Sequence, residues 1–194
     1  MFLKSKEDKR QIVHLVLGIL IAFFAWFFQE LVAIPLFFGI IGLIILSHYP
    51  EFSVSKFLSN HFEEHRKTKM FQGAIFYGIG ILPVILLIPF ITREVGCAII
   101  AILSAGDSFS TLIGKRFGKH KIGSRSIEGF LAFLVSGFIF SYIFLSSVFW
   151  AFMLSFFGAT LELLSPKHLD DNILIPWGLL IIFLFSVGIN LLAG

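Results

Sequence analysis

The side chains best suited to chemistry in this sequence are carboxylates set among apolar residues, and Asp107 is the clearest of them. It lies in Ser104–Thr111, a run of small and hydroxyl-bearing residues. On a helix, Ser110 and Gly114 share one face with Asp107, and such a face can hold a hard cation such as Mg²⁺ together with a phosphate oxygen. The alternative is a contact between helices stabilised by small polar residues. A carboxylate inside an apolar helix is costly, which favours function.

A basic, glycine-rich loop follows Asp107 directly. Five Lys or Arg residues and three Gly residues lie between Gly114 and Arg125. Glycine allows a close approach of the backbone, and Lys and Arg neutralise phosphate charge, so this loop is a candidate phosphate-binding site. The alternative is an ordinary cytoplasmic loop, since such loops are rich in basic residues. The candidate ligands are Gly114, Lys115, Arg116, Gly118, Lys119 and Arg125.

Further polar side chains flank the apolar segments on the same predicted side of the membrane. Near the beginning of the chain, Arg10 and His14 share a helical face with Glu7. We expect the whole set to form one active site with Asp107. Each member also has a plain structural alternative, as a helix cap, a partner of the helix dipole or an interfacial anchor. The remaining members are Glu128, Glu162, Asp170, Asp171 and Asn172.

The elements that carry these residues are predicted to be membrane helices. Of the 194 residues, 57% are apolar, 26 are Phe and only 14% are charged. A soluble protein of this size could not bury so much apolar surface. Cys97 is the single cysteine, which excludes an internal disulfide. We therefore predict an all-α, polytopic integral membrane protein with one catalytic domain over residues 1–194.

Seven apolar stretches predict seven membrane helices. The first is expected to be retained in the membrane, because it is too long for the apolar region of a secretory signal. The polar stretch 47–72 predicts instead a short helix on the membrane surface, since Val54, Phe57 and Leu58 recur at helical spacing. The predicted spans are Ile12–Phe28, Leu31–Leu46, Gly73–Ile91, Glu94–Ile113, two within Ser126–Leu164 separated near Leu145–Ser147, and Ile173–Leu192.

The basic residues predict the orientation of the chain. If the N-terminal segment 1–11 is cytoplasmic, 14 of the 15 Lys and Arg residues fall on that side, and Arg93 is the exception. The positive-inside rule then predicts an active site that faces the cytoplasm, in a cell membrane or the endoplasmic reticulum. This asymmetry accounts for the net charge of +3, so no nucleic-acid partner is expected.

Three separated motifs extend over nearly the whole chain. They are Glu7-x-x-Arg10-Gln11-x-x-His14, then Gly106-Asp107 through Gly114 and Gly118 to Arg125-Ser126-x-Glu128-Gly129, and finally Glu162 with Asp171-Asn172 and Pro176. Together they resemble the motifs of the CTP-dependent lipid-alcohol kinases, the group of dolichol kinase, phytol kinase and the CTP-using diacylglycerol kinase. In this chain Gln11 and Arg125 stand where that group usually has Lys.

The resemblance implies transfer of the γ-phosphoryl group of CTP to a membrane alcohol of the dolichol, polyprenol or phytol type. It implies Mg²⁺ at Asp107, the triphosphate at the basic loop, and a nucleotide site that includes Arg10, His14, Ser110 and Asn172. Candidate catalytic residues are Asp107, Glu128, Glu162 and Asp171.

Two alternatives stay open from the sequence. One is a cytidylyltransferase that acts on a lipid phosphate, a related group whose closing Pro-Gly-His-Gly-Gly segment this chain lacks. The other is a small transporter or membrane scaffold without enzymatic activity.

The predicted orientation can be tested by labelling single cysteines from each side of the membrane. In a Cys97→Ala background, Lys119→Cys and Asp171→Cys should react with an impermeant thiol reagent from the same side, and Arg93→Cys from the opposite side. Labelling of positions 119 and 171 from opposite sides would contradict a shared active site.

Overall fold

The computed structural model describes residues 6–62, 70–166 and 169–193. Several basic residues used to predict the orientation lie outside these ranges, namely Lys4, Arg66, Lys67, Lys69 and Lys167. The described chain is almost entirely helical, which confirms the all-α class. Its helices are α1 (Lys6–Phe28), α2 (Ala33–His48), α3 (Ser53–Phe62), α4 (Gln72–Leu86), α5 (Ile88–Ile91), α6 (Arg93–Phe117), α7 (Ile127–Leu145), α8 (Val148–Leu164) and α9 (Asp171–Ala193).

Within the part of the chain that the structure describes, three stretches are long and apolar enough to cross a membrane. They are Glu7–His48, which contains α1 and α2, then α6 and α7. Helices α4 and α8 and the segment Asp171–Val187 of α9 are equally apolar in character but shorter. By length and composition these helices place the chain in a membrane, whereas the number of seven spans and the orientation remain predictions.

The predicted break near Leu145–Ser147 is confirmed. Ser146 takes the left-handed conformation with φ of 51°, which ends α7. The side chain of Ser147 then accepts a hydrogen bond from the backbone N–H of Trp150 and caps α8. These two serines therefore separate the fifth and sixth apolar helices.

Two predicted boundaries differ from the helices of the structure. The stretch Gly73–Ile91 is divided into α4 and α5, because Pro89 has no N–H to continue the helical hydrogen bonding of α4, whereas it is tolerated in the first turn of α5. Helix α6 continues to Phe117 rather than ending at Ile113, so Lys115 and Arg116 lie in its last turn. Cations at this end are favoured by the helix dipole.

Between α6 and α7, the basic loop contains a small antiparallel hairpin. Strand β1 is Lys121–Ile122 and strand β2 is Arg125–Ser126, with Ile122 paired to Arg125. Gly123 forms the turn with φ of 58°, a conformation that an L side chain rarely adopts. The hairpin brings the loop back to the beginning of α7.

Helix α6 lies at the centre of the bundle. It packs against α1, α4, α5, α7, α8 and α9, and the side chains from Ile99 to Leu103 are fully buried. Large apolar side chains on the outer helices are exposed instead, such as Phe38 at 65% and Phe185 at 71%. The arrangement suits a membrane, where these outer side chains contact lipid, and it places Asp107 of the central helix inside the protein.

Helices α4 and α9 approach each other closely at Gly80. A Cβ atom at this position would lie 1.8 Å from the backbone oxygen of Asn172, in the first turn of α9. Real Cβ atoms do not approach another atom so closely, so only glycine permits this contact. Gly80 therefore helps to position Asp171 and Asn172.

Gly80→Ala is expected to lower the free energy of unfolding by about 1–3 kcal/mol, because α4 or α9 must shift. Thermal unfolding in detergent would measure the loss. The matched control is Gly42→Ala, also in a helix, where an added Cβ meets no atom within 4 Å. Equal stability of the two variants would contradict the close contact between α4 and α9.

Candidate active site

A cavity of about 1200 Å³ opens where the ends of several helices meet. Its polar end is formed by the first turns of α1, α4 and α9, the last turns of α6 and α8, the hairpin and the beginning of α7. Most of the predicted site residues line it, although they come from separate parts of the chain. Those residues are Arg10, His14, Asp107, Ser110, Gly114, Lys115, Arg125, Glu162, Asp171 and Asn172.

Arg125 connects three segments at this end of the cavity. Its Nη1 atom lies 3.0 Å from Oε1 of Glu162 in α8, and its Nη2 atom donates to Oδ2 of Asp171 in α9. The hydroxyl of Ser110 in α6 donates to the same Glu162 oxygen over 3.1 Å. The side chain of Glu162 is only 3% exposed, so Arg125 and Ser110 replace the hydrogen bonds that water would give to this carboxylate.

The charge of Arg125 is secured by its surroundings. Burial by itself lowers the pKa of the guanidinium, but the nearby charges of Asp171, Glu162 and Asp107 outweigh burial and raise the pKa above its usual value. Arg125 is therefore a permanent cation among three carboxylates.

Several buried polar atoms around the cavity have no hydrogen-bond partner. They include Oε2 of Glu162, Oδ1 of Asp171, Oδ1 of Asn172 and Nε2 of His14. Buried polar groups are normally satisfied, and unsatisfied ones indicate a bound ion, water or ligand. All four residues line the cavity. The polar end is thus built to receive a polar ligand.

The side chain of Asp170 binds to the first turn of α9. Its side chain accepts hydrogen bonds from the backbone N–H of Asn172 over 3.0 Å and from the Asn172 amide over 2.9 Å. It therefore caps α9. Because Asp170 provides the cap, Asp171 is free to contact Arg125.

His14 and Asp107 face each other across the inner part of the polar end. Nε2 of His14 lies 3.9 Å from Oδ2 of Asp107, which is too far for a direct hydrogen bond. The imidazole also lies nearly perpendicular to the ring of Tyr77, with ring centroids 4.6 Å apart. The Tyr77 hydroxyl is in turn hydrogen-bonded to Ser104 over 2.8 Å. The imidazole is held in place while Nε2 remains open toward Asp107.

The buried carboxylate of Glu7 in α1 binds two of the cations near the polar end of the cavity. Glu7 accepts hydrogen bonds from Nε and Nη2 of Arg10 over 3.0 and 2.8 Å. Nζ of Lys115 lies 3.5 Å from the same carboxylate. Arg116 contacts Asp8 over 2.9 Å, so two ion pairs join α1 to the last turn of α6. Of these cations, Arg10 and Lys115 line the cavity.

Some predicted site residues lie outside this cavity. Glu128 accepts hydrogen bonds from the backbone N–H of His120 over 3.2 Å and lies 2.7 Å from its ring Nδ1. Gly118 packs against Ser126, whose side chain caps α7, because a Cβ at position 118 would lie 2.7 Å from the Ser126 Oγ. Arg116 and Lys119 are likewise absent from the cavity wall. Their predicted roles in nucleotide binding or catalysis stay predictions, and the observed contacts of Glu128 and Gly118 position the loop.

Helix α4 contributes residues that sequence reasoning did not select. Gln72, Gly73 and Tyr77 all line the cavity. A tyrosine hydroxyl within an apolar helix is a weak signal, and nothing in the sequence marks Gln72 or Gly73. Lys121 also lines the cavity, although it was seen only as one cation of the basic loop.

The oxygen atoms at the polar end fit a magnesium ion that is also bound by a nucleotide. Within residues 6–62, 70–166 and 169–193, no three His, Cys, Asp or Glu side chains form a metal site of their own. Magnesium usually takes only one or two protein carboxylates and completes its shell with water and phosphate oxygens. Asp107, and the unpartnered oxygen of Asp171, provide carboxylates of this kind in one cavity.

Known proteins match this chain over different lengths. An uncharacterized protein of Methanocaldococcus jannaschii is 34% identical over 193 residues, which is 96% of each chain. The dolichol kinase of Schizosaccharomyces pombe is 39% identical over 83 residues, or 38% of this chain and 16% of that kinase. A probable chloroplastic phytol kinase of Triticum aestivum is 30% identical over 90 residues, or 45% of this chain and 30% of that protein. No family model matches the chain, and no solved structure is similar to it.

Arg125→Gln is expected to lower the free energy of unfolding by about 3–5 kcal/mol, because it leaves the buried Glu162 carboxylate without its cation. Thermal unfolding without nucleotide would measure this. Adding Glu162→Gln in the same protein should recover part of the loss.

The control for this measurement is Arg93→Gln. This change removes an exposed ion pair in which Nε of Arg93 lies 3.2 Å from Oε1 of Glu94, and it also removes the contact of Arg93 with the Trp26 ring. Together these losses should lower the free energy of unfolding by less than about 1–2 kcal/mol. If Arg125→Gln costs no more than Arg93→Gln, Arg125 does not hold α8 and α9 together.

Proposed function

We propose that this chain is a lipid-alcohol kinase related to dolichol kinase and phytol kinase, and that it transfers the γ-phosphoryl group of CTP to an isoprenoid alcohol in the membrane. The products are CDP and the isoprenoid monophosphate. The observation that carries the proposal is the cavity, because a single space joins a charged end to an apolar wall. A substrate with a hydroxyl head and a hydrocarbon tail matches such a space.

The charged end suits the triphosphate of a nucleotide. The first turns of α4, α7 and α9 all line it, and a helix N-terminus attracts anions through its free N–H groups and its dipole. Lys115 and Lys121 line the same region with exposed ammonium groups. Arg125 contacts two carboxylates on separate helices and acts mainly to position them. Arg10 and Lys115 share the single Glu7 carboxylate, and together with Lys121 they bear the phosphates.

Magnesium would be held by Asp107 together with Asp171, and by the phosphates of the nucleotide. When bound, it neutralises negative charge that develops on the phosphoryl oxygens. Phosphoryl transfer asks little else of a protein beyond positioning and charge stabilisation. The carboxylates, cations and helix N-termini of this cavity are the groups which that task requires.

The acceptor hydroxyl lies between His14 and Asp107 in this proposal. An oxygen atom can approach both Nε2 and Oδ2, because these atoms are 3.9 Å apart and neither bonds to the other. The alcohol oxygen forms a bond to the γ-phosphorus while the bond from that phosphorus to the β,γ-bridging oxygen breaks. CDP leaves with that oxygen, and the hydroxyl proton passes to a carboxylate of the polar end.

Asp107→Asn is expected to lower CTP-dependent phosphorylation of farnesol or geranylgeraniol at least about a hundredfold, because it removes a carboxylate that holds the metal and faces the hydroxyl. The variant should insert and fold, since loss of a buried charge lowers a cost. Activity of purified protein with CTP and Mg²⁺ measures the effect.

The matched control is Glu94→Gln. It makes the same chemical change at the opposite end of α6, on a side chain that is 39% exposed. It should leave turnover unchanged. Near-normal turnover by a folded Asp107→Asn protein would refute the role given to Asp107, and no turnover by the unmodified protein with any isoprenoid alcohol would refute the proposed function.

A further inference from the structure

The cavity continues from the polar end into an apolar compartment between α1, α2 and α4. Val13, Val16 and Leu17 of α1 line one side of it, and Leu36 and Leu43 of α2 line the other. His14 and Tyr77 lie where the two parts join. The described side chains of α1 and α2 that line this compartment are apolar, so a hydrocarbon would occupy it without cost.

We propose that this compartment holds the hydrocarbon chain of the lipid alcohol, and that Gly39 of α2 determines how long a chain fits. The proposal rests on the proposed function for the identity of the occupant. It adds the location of the chain and a residue that governs specificity.

Gly39 leaves space that any other residue would fill. It lies in the wall of the cavity, and a Cβ atom added there meets no atom within 4 Å. Its neighbour Ile40 is buried against Gly78 of α4, where a Cβ would lie 2.6 Å from Ile40 Cγ1. That contact anchors α2 beside α4. Leu36 and Leu43 share a helical face with Gly39 and also line the cavity, so a side chain at position 39 would extend into the compartment.

The size of the cavity agrees with two occupants, a nucleotide and a lipid. Pockets for drug-sized ligands commonly enclose about 300–1,000 Å³, and this one encloses about 1200 Å³. A nucleotide triphosphate at the polar end leaves the apolar compartment for a second molecule. The hydroxyl of that molecule then reaches His14 and Asp107 from the apolar side, because those residues lie at the junction.

Helix α2 also provides a matched control. Gly42 is in the same helix, and a Cβ there likewise meets no atom within 4 Å, but Gly42 is absent from the cavity wall. Gly39→Phe and Gly42→Phe therefore make the same change inside and outside the compartment. Both should insert and fold, because a Cβ atom at either position meets no close neighbour.

The first measurement compares turnover of geraniol, farnesol and geranylgeraniol, which differ by one isoprene unit each. Gly39→Phe should lower the ratio of kcat/KM for geranylgeraniol to that for geraniol at least about tenfold, the size of effect that small changes in an apolar pocket produce. Gly39→Ala should have a smaller effect in the same direction. Gly42→Phe should keep the ratio of the unmodified protein.

The second measurement does not require activity. A geranylgeraniol analogue with a diazirine at the tail end is photolysed with the protein in nanodiscs, and the labelled residues are mapped by mass spectrometry. Labelling of α1, α2 or α4 should fall at least about tenfold in Gly39→Phe and stay unchanged in Gly42→Phe.

The two measurements separate the inference from the proposed function. If no alcohol is phosphorylated but the labelling follows this pattern, the proposed function fails and the tail compartment stands. If the unmodified protein is active but Gly39→Phe and Gly42→Phe give the same chain-length preference and the same labelling, the compartment does not hold the chain and the inference is overturned.

Discussion

The ion pairs of Arg125 are the contact on which the site depends. A carboxylate as deeply buried as Glu162 needs a cation nearby, and the cation comes from a hairpin far from it in sequence. Because the same guanidinium also contacts Asp171, the loop after α6, the end of α8 and the beginning of α9 must meet at one point. The polar end of the cavity follows from this meeting.

The second constraint is the apolar environment of the rest of the chain. Helix α6 is enclosed by other helices, yet it carries Asp107 and Ser110 to the polar end. Helix α2 lies at the periphery and, with α1 and α4, forms the wall of an apolar compartment. The charged and apolar parts of the cavity join at His14, and the proposed function places the acceptor hydroxyl there.

Composition and spacing predicted the parts of the structure that depend on local physics. The apolar runs predicted the helical class, and Ser146 and Ser147 separate α7 and α8 near the predicted position. The isolated carboxylates were also a useful signal, since a charge such as that of Asp107 is costly among apolar residues. Glu162 and Asp171 were selected for their place beside the apolar segments and for the motif resemblance, and the cavity brings them together with Asp107.

Contacts between distant segments could not be predicted in the same way. The direction of the Glu128 side chain depends on the path of the loop, which brings His120 beside it and away from the cavity. The sequence offers both Asp170 and Asp171 near the beginning of α9, and only the position of Arg125 shows that Asp171 enters the site while Asp170 caps the helix. Tyr77 enters the site because its ring reaches His14 of α1 from α4, and no motif in its own helix indicates this.

The most direct test of the central claim follows the phosphorus atoms of CTP. The purified protein is given Mg²⁺, an isoprenoid alcohol and CTP labelled either at the α- or at the γ-phosphate. A kinase transfers the γ label to the lipid and leaves the α label in CDP. Transfer of the α label to the lipid with release of pyrophosphate, or no transfer of either label, would contradict the account.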